Sequence, residues 1–148
     1  MTDRLTPEKR SWNMSKIKNR DTKVEVKVRK YLYHSGFRYQ KNVATLPGKP
    51  DIVLKKYNTI IFVHGCFWHR HENCRDATTP KTRTEFWQKK FDINVLNDNK
   101  HKKELEAAGW QVLIIWECEI NQKFSEIMAQ VMDQILANKT NHRRNELL

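Results

Sequence analysis

Residues 60–74 read IIFVHGCFWHRHENC, and they crowd His64, His69 and His71 together with Cys66 and Cys74. Such side chains in one short stretch point first to metal. Cys66, His71 and Cys74 follow a C-x4-H-x2-C spacing, and Cys118 ends a distant apolar run. Three thiolates and one imidazole make a closed tetrahedral zinc site, structural because no position is left open for substrate. His69 could replace His71 in that set, and spacing alone does not choose between them. Cys118 also has a plain reading as a buried core thiol.

A second kind of chemistry surrounds Asp51, which follows the turn LPGKP and precedes the apolar IVL. His64 lies thirteen residues further on, at the end of TIIFVH. If the two segments pair as an antiparallel hairpin, the start of one lies beside the end of the other. Asp51 and His64 would then meet at one sheet edge. A carboxylate there suits Mg²⁺, a hard cation that takes oxygen ligands and serves phosphodiester hydrolysis. An aspartate after proline is equally an ordinary turn residue. If zinc takes His71, then His64 and His69 remain to move protons near neutral pH. Phe67 and Trp68 sit between the candidate ligands, and Trp87 opens a later polar segment. Aromatic wedges of this kind can unstack base pairs, although each taken alone also fits a buried position.

These groups need elements to hold them. DTKVEVKVRKYLYHSG reads as a helix with Val24, Val28, Tyr31 and Leu32 on one face and Gly36 as its stop. Thr22-x-x-Glu25 is a capping box at its start. FRYQKNVATL alternates as a strand, with Phe37, Tyr39 and Val43 on one side. DIVLKKY and TIIFVH form a hairpin joined at Asn58. TRTEFWQKKFDINVLNDNKHKKELEAAG is helical with room for a break and ends at Gly109. WQVLIIWEC is a core strand. FSEIMAQVMDQILANK is an amphipathic helix with Phe124, Ile127, Met128, Val131 and Ile135 at core spacing. The order α-β-β-β-α-β-α predicts a mixed α/β sheet flanked by helices.

The 148 residues fit one domain, with residues 1–20 as a basic N-terminal arm and 21–148 as a single catalytic unit. Lys and Arg number 28 against 17 acids, a net charge of +11 that favours a polyanion, nucleic acid first. No long amphipathic helix with a basic face points to a lipid surface. The start MTDRLTPEKR lacks the apolar core of a signal peptide, and the apolar runs are strand-sized. A cytoplasmic, nucleoid-associated monomer is expected. Three cysteines in a reducing compartment favour metal ligation or free thiols over disulfides.

Taken together, NMSKIKNRDTKVE, LPGKPDIV, IIFVHGCFWHRH, TRTEFW and GWQVLIIWEC resemble the very short patch repair (Vsr) family of DNA mismatch endonucleases, from about Asn13 to Cys118. The resemblance implies a nickase that cuts 5′ of the mispaired T in T·G mismatches produced by deamination of 5-methylcytosine. It implies the restriction-endonuclease-like PD-(D/E)xK fold, although the second acid and the lysine of that signature would fall at Phe62 and His64. It implies a Mg²⁺ ion held by Asp51, the Val63 carbonyl and waters, with His64 and His69 acting at the phosphate. Glu25 matches an acid that supports the site through water, and Asp98 one that orients His69. Cys66, His71, Cys74 and Cys118 match zinc ligands, with one residue more between His71 and Cys74 than the family pattern. Phe67, Trp68 and Trp87 match intercalating aromatics, and Met14 and Lys90 match contacts to the mismatch. Mismatch-repair proteins and a cognate cytosine-5 methyltransferase are the implied protein partners. The competing readings are a mismatch-blind, restriction-type nuclease of the same fold and a non-catalytic zinc-containing DNA-binding module.

Overall fold

Four strands form one mixed sheet in the order β1-β2-β3-β4, and helices cover both of its faces. The computed structural model describes residues 22–147, with side chains as far as Asn138. The basic arm and Met14 lie outside the described residues. Helix α1 spans Lys23–His34 and starts at Thr22, whose hydroxyl accepts from the Glu25 N–H at 3.3 Å. It stops at Ser35, and Gly36 follows at φ +95, a left-handed angle that favours glycine.

The strand expected over 37–46 shrinks to β1, Gln40–Lys41. Asn42 adopts φ +49 and turns the chain, and the Leu46 and Lys49 amides bond back to Val43 and Leu46. Phe37 and Tyr39 still reach the core, while Val43 packs on the opposite face of the sheet. The apolar alternation there marked burial on two sides rather than extended pairing.

Strand β2, Ile52–Leu54, pairs antiparallel with β3, Thr59–His64, in the register Ile52↔Ile61. A short 3₁₀ turn, Lys55–Tyr57, and a left-handed Asn58 join them, so the expected hairpin is present. Helix α2, Cys66–His69, follows directly and was not anticipated. Helix α3, Thr84–Ala107, runs 24 residues in one stretch, without the break its sequence allowed. Strand β4, Gln111–Trp116, lies parallel to β3. Helix α4, Glu117–Leu147, begins seven residues before the expected Phe124 and is interrupted at Lys123 (φ −139, ψ 44).

Period-two alternation along the buried strands assigns the faces. Ile61, Val63 and Ile115 pack with Val28, Leu32, Met128 and Ile135 of α1 and α4. Val53, Ile60 and Phe62 pack with Leu105 of α3 and with Val112 and Ile114. Asp51 stands two residues before Val53, and His64 stands two after Phe62. Both therefore belong to the α3 side, at the end of the hairpin where β2 starts and β3 ends.

Candidate active site and metal centre

Pairing brings Asp51 beside the last residues of β3, and the Val63 N–H donates to Asp51 Oδ2 at 2.7 Å. The carboxylate is 9% exposed, and this bond orients it. Asp51, Val63, His64, His69 and Asp98 all line one cleft of about 510 Å³. The rings of His64 and His69 stack at 3.8 Å with an interplanar angle of 6°. His69 Nδ1 lies 2.7 Å from Asp98 Oδ2. With the carboxylate ionised, that bond places the proton on Nδ1 and leaves the lone pair on Nε2. Helix α3 supplies Asp98, α2 supplies His69 and the hairpin supplies the rest, so the cleft is built where three elements meet.

Burial first, and then the charge of His69, push the His64 imidazole down to about 3, against a smaller opposing pull from Asp98. His64 is thus neutral at physiological pH. Its Nδ1 is buried with no hydrogen-bond partner among the described residues, a demand that a ligand or water in the cleft would satisfy. Glu25 is buried, 2% exposed, in the first turn of α1, and its carboxylate approaches Arg29 at 3.8 Å. It is not among the residues that line the cleft.

Sequence reasoning missed part of this cleft. Lys49, His101 and Lys102 line it as well. Gly48 (φ +76) packs so closely on His101 that a Cβ would stand 3.0 Å from its Nδ1. His101 and Lys102 were indistinguishable from the solvated face of a polar helix. Asp98, by contrast, was expected from the family resemblance, and α3 places it one turn before His101.

The second cluster lies behind the first. Cys66, His71, Cys74 and Cys118 offer donor atoms that all lie within 4.8 Å of one another. His71 Nδ1 is 3.7 Å from Cys66 Sγ and 3.3 Å from Cys118 Sγ. A tetrahedral ion with metal–sulfur bonds near 2.3 Å and metal–nitrogen bonds near 2.0 Å requires sulfur–nitrogen separations of about 3.5 Å. The four residues therefore fit such a metal, and they select His71 over His69 as the imidazole of the set. Burial pushes the Cys66 thiol up to about 12 and raises Cys118. Trp116 closes the wall between the clusters, stacked on His71 at 4.2 Å and edge-on to His64 at 5.2 Å.

The three aromatics converge too. Phe67 lies 5.0 Å from Trp68 and 5.9 Å from Trp87, and Trp68 lies 5.9 Å from Trp87. All are half-buried, and Phe67 and Trp87 stand on the fully buried Phe91. Lys90 holds its ammonium 5.2 Å from the Trp68 ring centre and 5.7 Å from that of Trp87.

A catalytic-type cleft, a thiol-rich cluster and an aromatic group on one basic chain match a known family. The family model for the DNA mismatch endonuclease Vsr covers residues 2–75. The DNA mismatch endonuclease Vsr of Escherichia coli strain K12 is 44% identical over 111 residues, 75% of this chain and 70% of that protein. The chain belongs to the Vsr family. Other relatives are named nicking enzymes. The type II nicking enzyme V.NmeAIP of Neisseria meningitidis serogroup A is 50% identical over 123 residues, covering 83% of this chain and 87% of its own length. V.XorIIP of Xanthomonas oryzae is 40% identical over 121 residues, covering 82% and 88%. Like its relatives, this Vsr-family chain is a DNA endonuclease, and DNA is its partner.

Proposed function

We propose that the chain nicks one DNA strand 5′ of the mispaired T in T·G mismatches, with Mg²⁺ as catalytic ion and Zn²⁺ as structural ion. The observation that carries this reading is the meeting of Asp51, His64 and the His69–Asp98 pair in one cleft. The hairpin and parallel β4 that build it agree with a PD-(D/E)xK-type core. Location in the cytoplasm, and contact with mismatch-repair proteins or a cytosine-5 methyltransferase, belong to the same proposal.

Asp51 and the Val63 backbone would hold the magnesium ion, since one carboxylate, a carbonyl and waters satisfy its preference for oxygen. When bound, that ion polarises the scissile phosphate and lowers the pKa of water. The chain's own groups do the rest. His64, neutral by burial, offers a ring nitrogen for a hydrogen bond with water or phosphate oxygen without adding charge to the cleft. His69, its tautomer fixed by Asp98, presents Nε2 for proton transfer at the reacting oxygens. The Lys49 and Lys102 ammonium groups set positive charge on the cleft lining. Glu25, buried beside Arg29, supports the site through water. Cys66, His71, Cys74 and Cys118 pin the loop that carries Phe67 and Trp68, which with Trp87 form the wedge that opens the stack. Lys90 and Met14 contact the mismatch. A wobble pair yields to the wedge more readily because unpairing it costs less.

The test is nicking of a T·G duplex beside a matched T·A duplex, with Mg²⁺ and then with EDTA. The expected result is a single nick 5′ of the T in T·G alone, abolished by EDTA. Asp51→Ala should bind the duplex with unchanged affinity and fail to nick. Equal cutting of T·A would favour a mismatch-blind nuclease. Binding without cutting by the parent protein would favour a DNA-binding module.

A further inference from the structure

We infer that Arg70 is a positioning residue for the aromatic wedge and not a DNA-contacting cation. The inference rests on the wedge reading above. Arg70 ends α2 in a left-handed conformation, φ +53 and ψ +61, which costs a non-glycine residue about 1–2 kcal/mol that its contacts must offset. Its guanidinium is held by several contacts. Nη1 donates to the Phe67 carbonyl at 3.2 Å and to the Thr78 carbonyl at 2.8 Å. Nη2 donates to the Ala77 carbonyl at 2.9 Å and to Thr79 Oγ1 at 3.0 Å. A guanidinium has four terminal N–H groups, and all four are engaged within the chain. None of these four is left for a phosphate, and only the Nε–H stands outside the set.

The same guanidinium centre lies 4.0 Å from the Phe91 ring centre. Phe91 is the floor of the wedge, 5.2 Å from Phe67 and stacked with Trp87 at 5.9 Å. Arg70 therefore ties three things together: the backbone of Phe67, the ring on which Phe67 and Trp87 stand, and the loop at 77–79. The thiol–imidazole cluster fixes this loop only as far as Cys74. Beyond it, residues 75–83 are mostly exposed, and Arg70 ties them to α2 through Ala77, Thr78 and Thr79. A flat, forked cation is needed, because four divergent N–H bonds and one stacked ring cannot be met by an ammonium.

The experiment compares the parent protein with Arg70→Ala and Arg70→Lys on a T·G duplex that carries a fluorescent adenine analogue beside the mismatch, quenched while stacked. Zinc content and Tm are measured alongside, so that data are compared at equal folded fraction. Both variants should bind the duplex with an unchanged slope of log affinity against log salt. Both should lose most of the unstacking signal. Both should nick about tenfold more slowly or worse, the scale on which small misplacements near a reacting centre act. If Arg70 were a phosphate contact, Arg70→Ala would reduce the salt slope by about 0.9, and Arg70→Lys would restore it. That pattern would overturn the inference. So would unstacking and nicking at parental levels in both variants. A parent protein that gives no unstacking signal at all would instead refute the wedge itself.

Discussion

Asp98 offers the sharpest quantitative test of the cleft. Its Oδ2 lies 2.7 Å from His69 Nδ1, and the two side chains are 24% and 29% exposed. A hydrogen bond to an ionised group contributes about 1.5–3 kcal/mol net. Partial exposure screens this pair, which places it near the lower end, about 1.5–2 kcal/mol. If the bond acts by fixing the tautomer and stabilising the imidazolium that forms during proton transfer, its loss appears in the chemical step. At about 1.4 kcal/mol per decade, Asp98→Ala should lower kcat roughly 10- to 30-fold with little change in KM. Asp98→Asn keeps the shape and removes the charge. Its amide can present N–H to Nδ1, which would drive the proton to Nε2 and make Asn at least as damaging as Ala. Single-turnover nicking of a T·G duplex at saturating protein separates this step from binding and release. Equal single-turnover rates for parent, Asp98→Ala and Asp98→Asn would refute the tautomer argument and leave Asp98 as a solvated helix residue.

Further consequences follow from other parts of the molecule. Cys118→Ala should abolish stoichiometric metal at the thiol cluster and lower Tm, read by metal analysis and calorimetry, while Asp51→Ala leaves that metal in place. Gly48→Ala combines a left-handed φ of +76 with a Cβ 3.0 Å from His101. It should cost about 1–2 kcal/mol, a Tm drop of several degrees for a domain of this size. His64 has a folded pKa depressed from 6.5 to about 3, so the unfolded chain binds its proton first as pH falls. The stability it protects is complete above pH 6.5 and is lost toward pH 3, by at most ~1.4 kcal/mol per pH unit. Denaturant midpoints between pH 7 and 4 should fall less steeply in His64→Gln than in the parent.

Residue types and strand pairing were legible in the sequence because both rest on local rules. Val28 and Leu32, then Met128, Val131 and Ile135, repeat at helical spacing, and they do fill the core from α1 and α4. The TIIFVH hairpin placed Asp51 beside the end of β3 because antiparallel pairing leaves few registers once one face is buried. The 37–46 segment misled because Phe37 and Val43 are buried by different faces. A period of two cannot distinguish one buried face from a turn between two. His101 and Lys102 were hidden for a related reason: a 24-residue helix with charges all round shows no preferred side until the cleft it borders is known.

The division of labour between His69 and His71 shows why spacing alone could not decide. Both histidines follow Cys66 within five residues, and both carry nitrogen ligands suited to zinc. Had α2 continued, the two would differ by about 200° around its axis and neither side would be privileged. The helix instead ends after His69, and the left-handed Arg70 reverses the chain so that the His71 N–H bonds back to the Cys66 carbonyl at 3.2 Å. That reversal places His71 among the thiols while His69 stays on the cleft side beside His64 and Asp98. One backbone angle thus sorts two chemically similar residues into two clusters. The residue with that angle also has its guanidinium anchored eight residues downstream, at Thr78. Arg70→Gly makes the same angle cheap without the anchor. If the backbone angle alone sorts the histidines, that variant retains metal at the thiol cluster but loses the order of the 77–79 loop, measured by metal analysis and by hydrogen exchange of those amides. Loss of the metal together with the loop would show that the anchor, and not the angle, assigns the ligands.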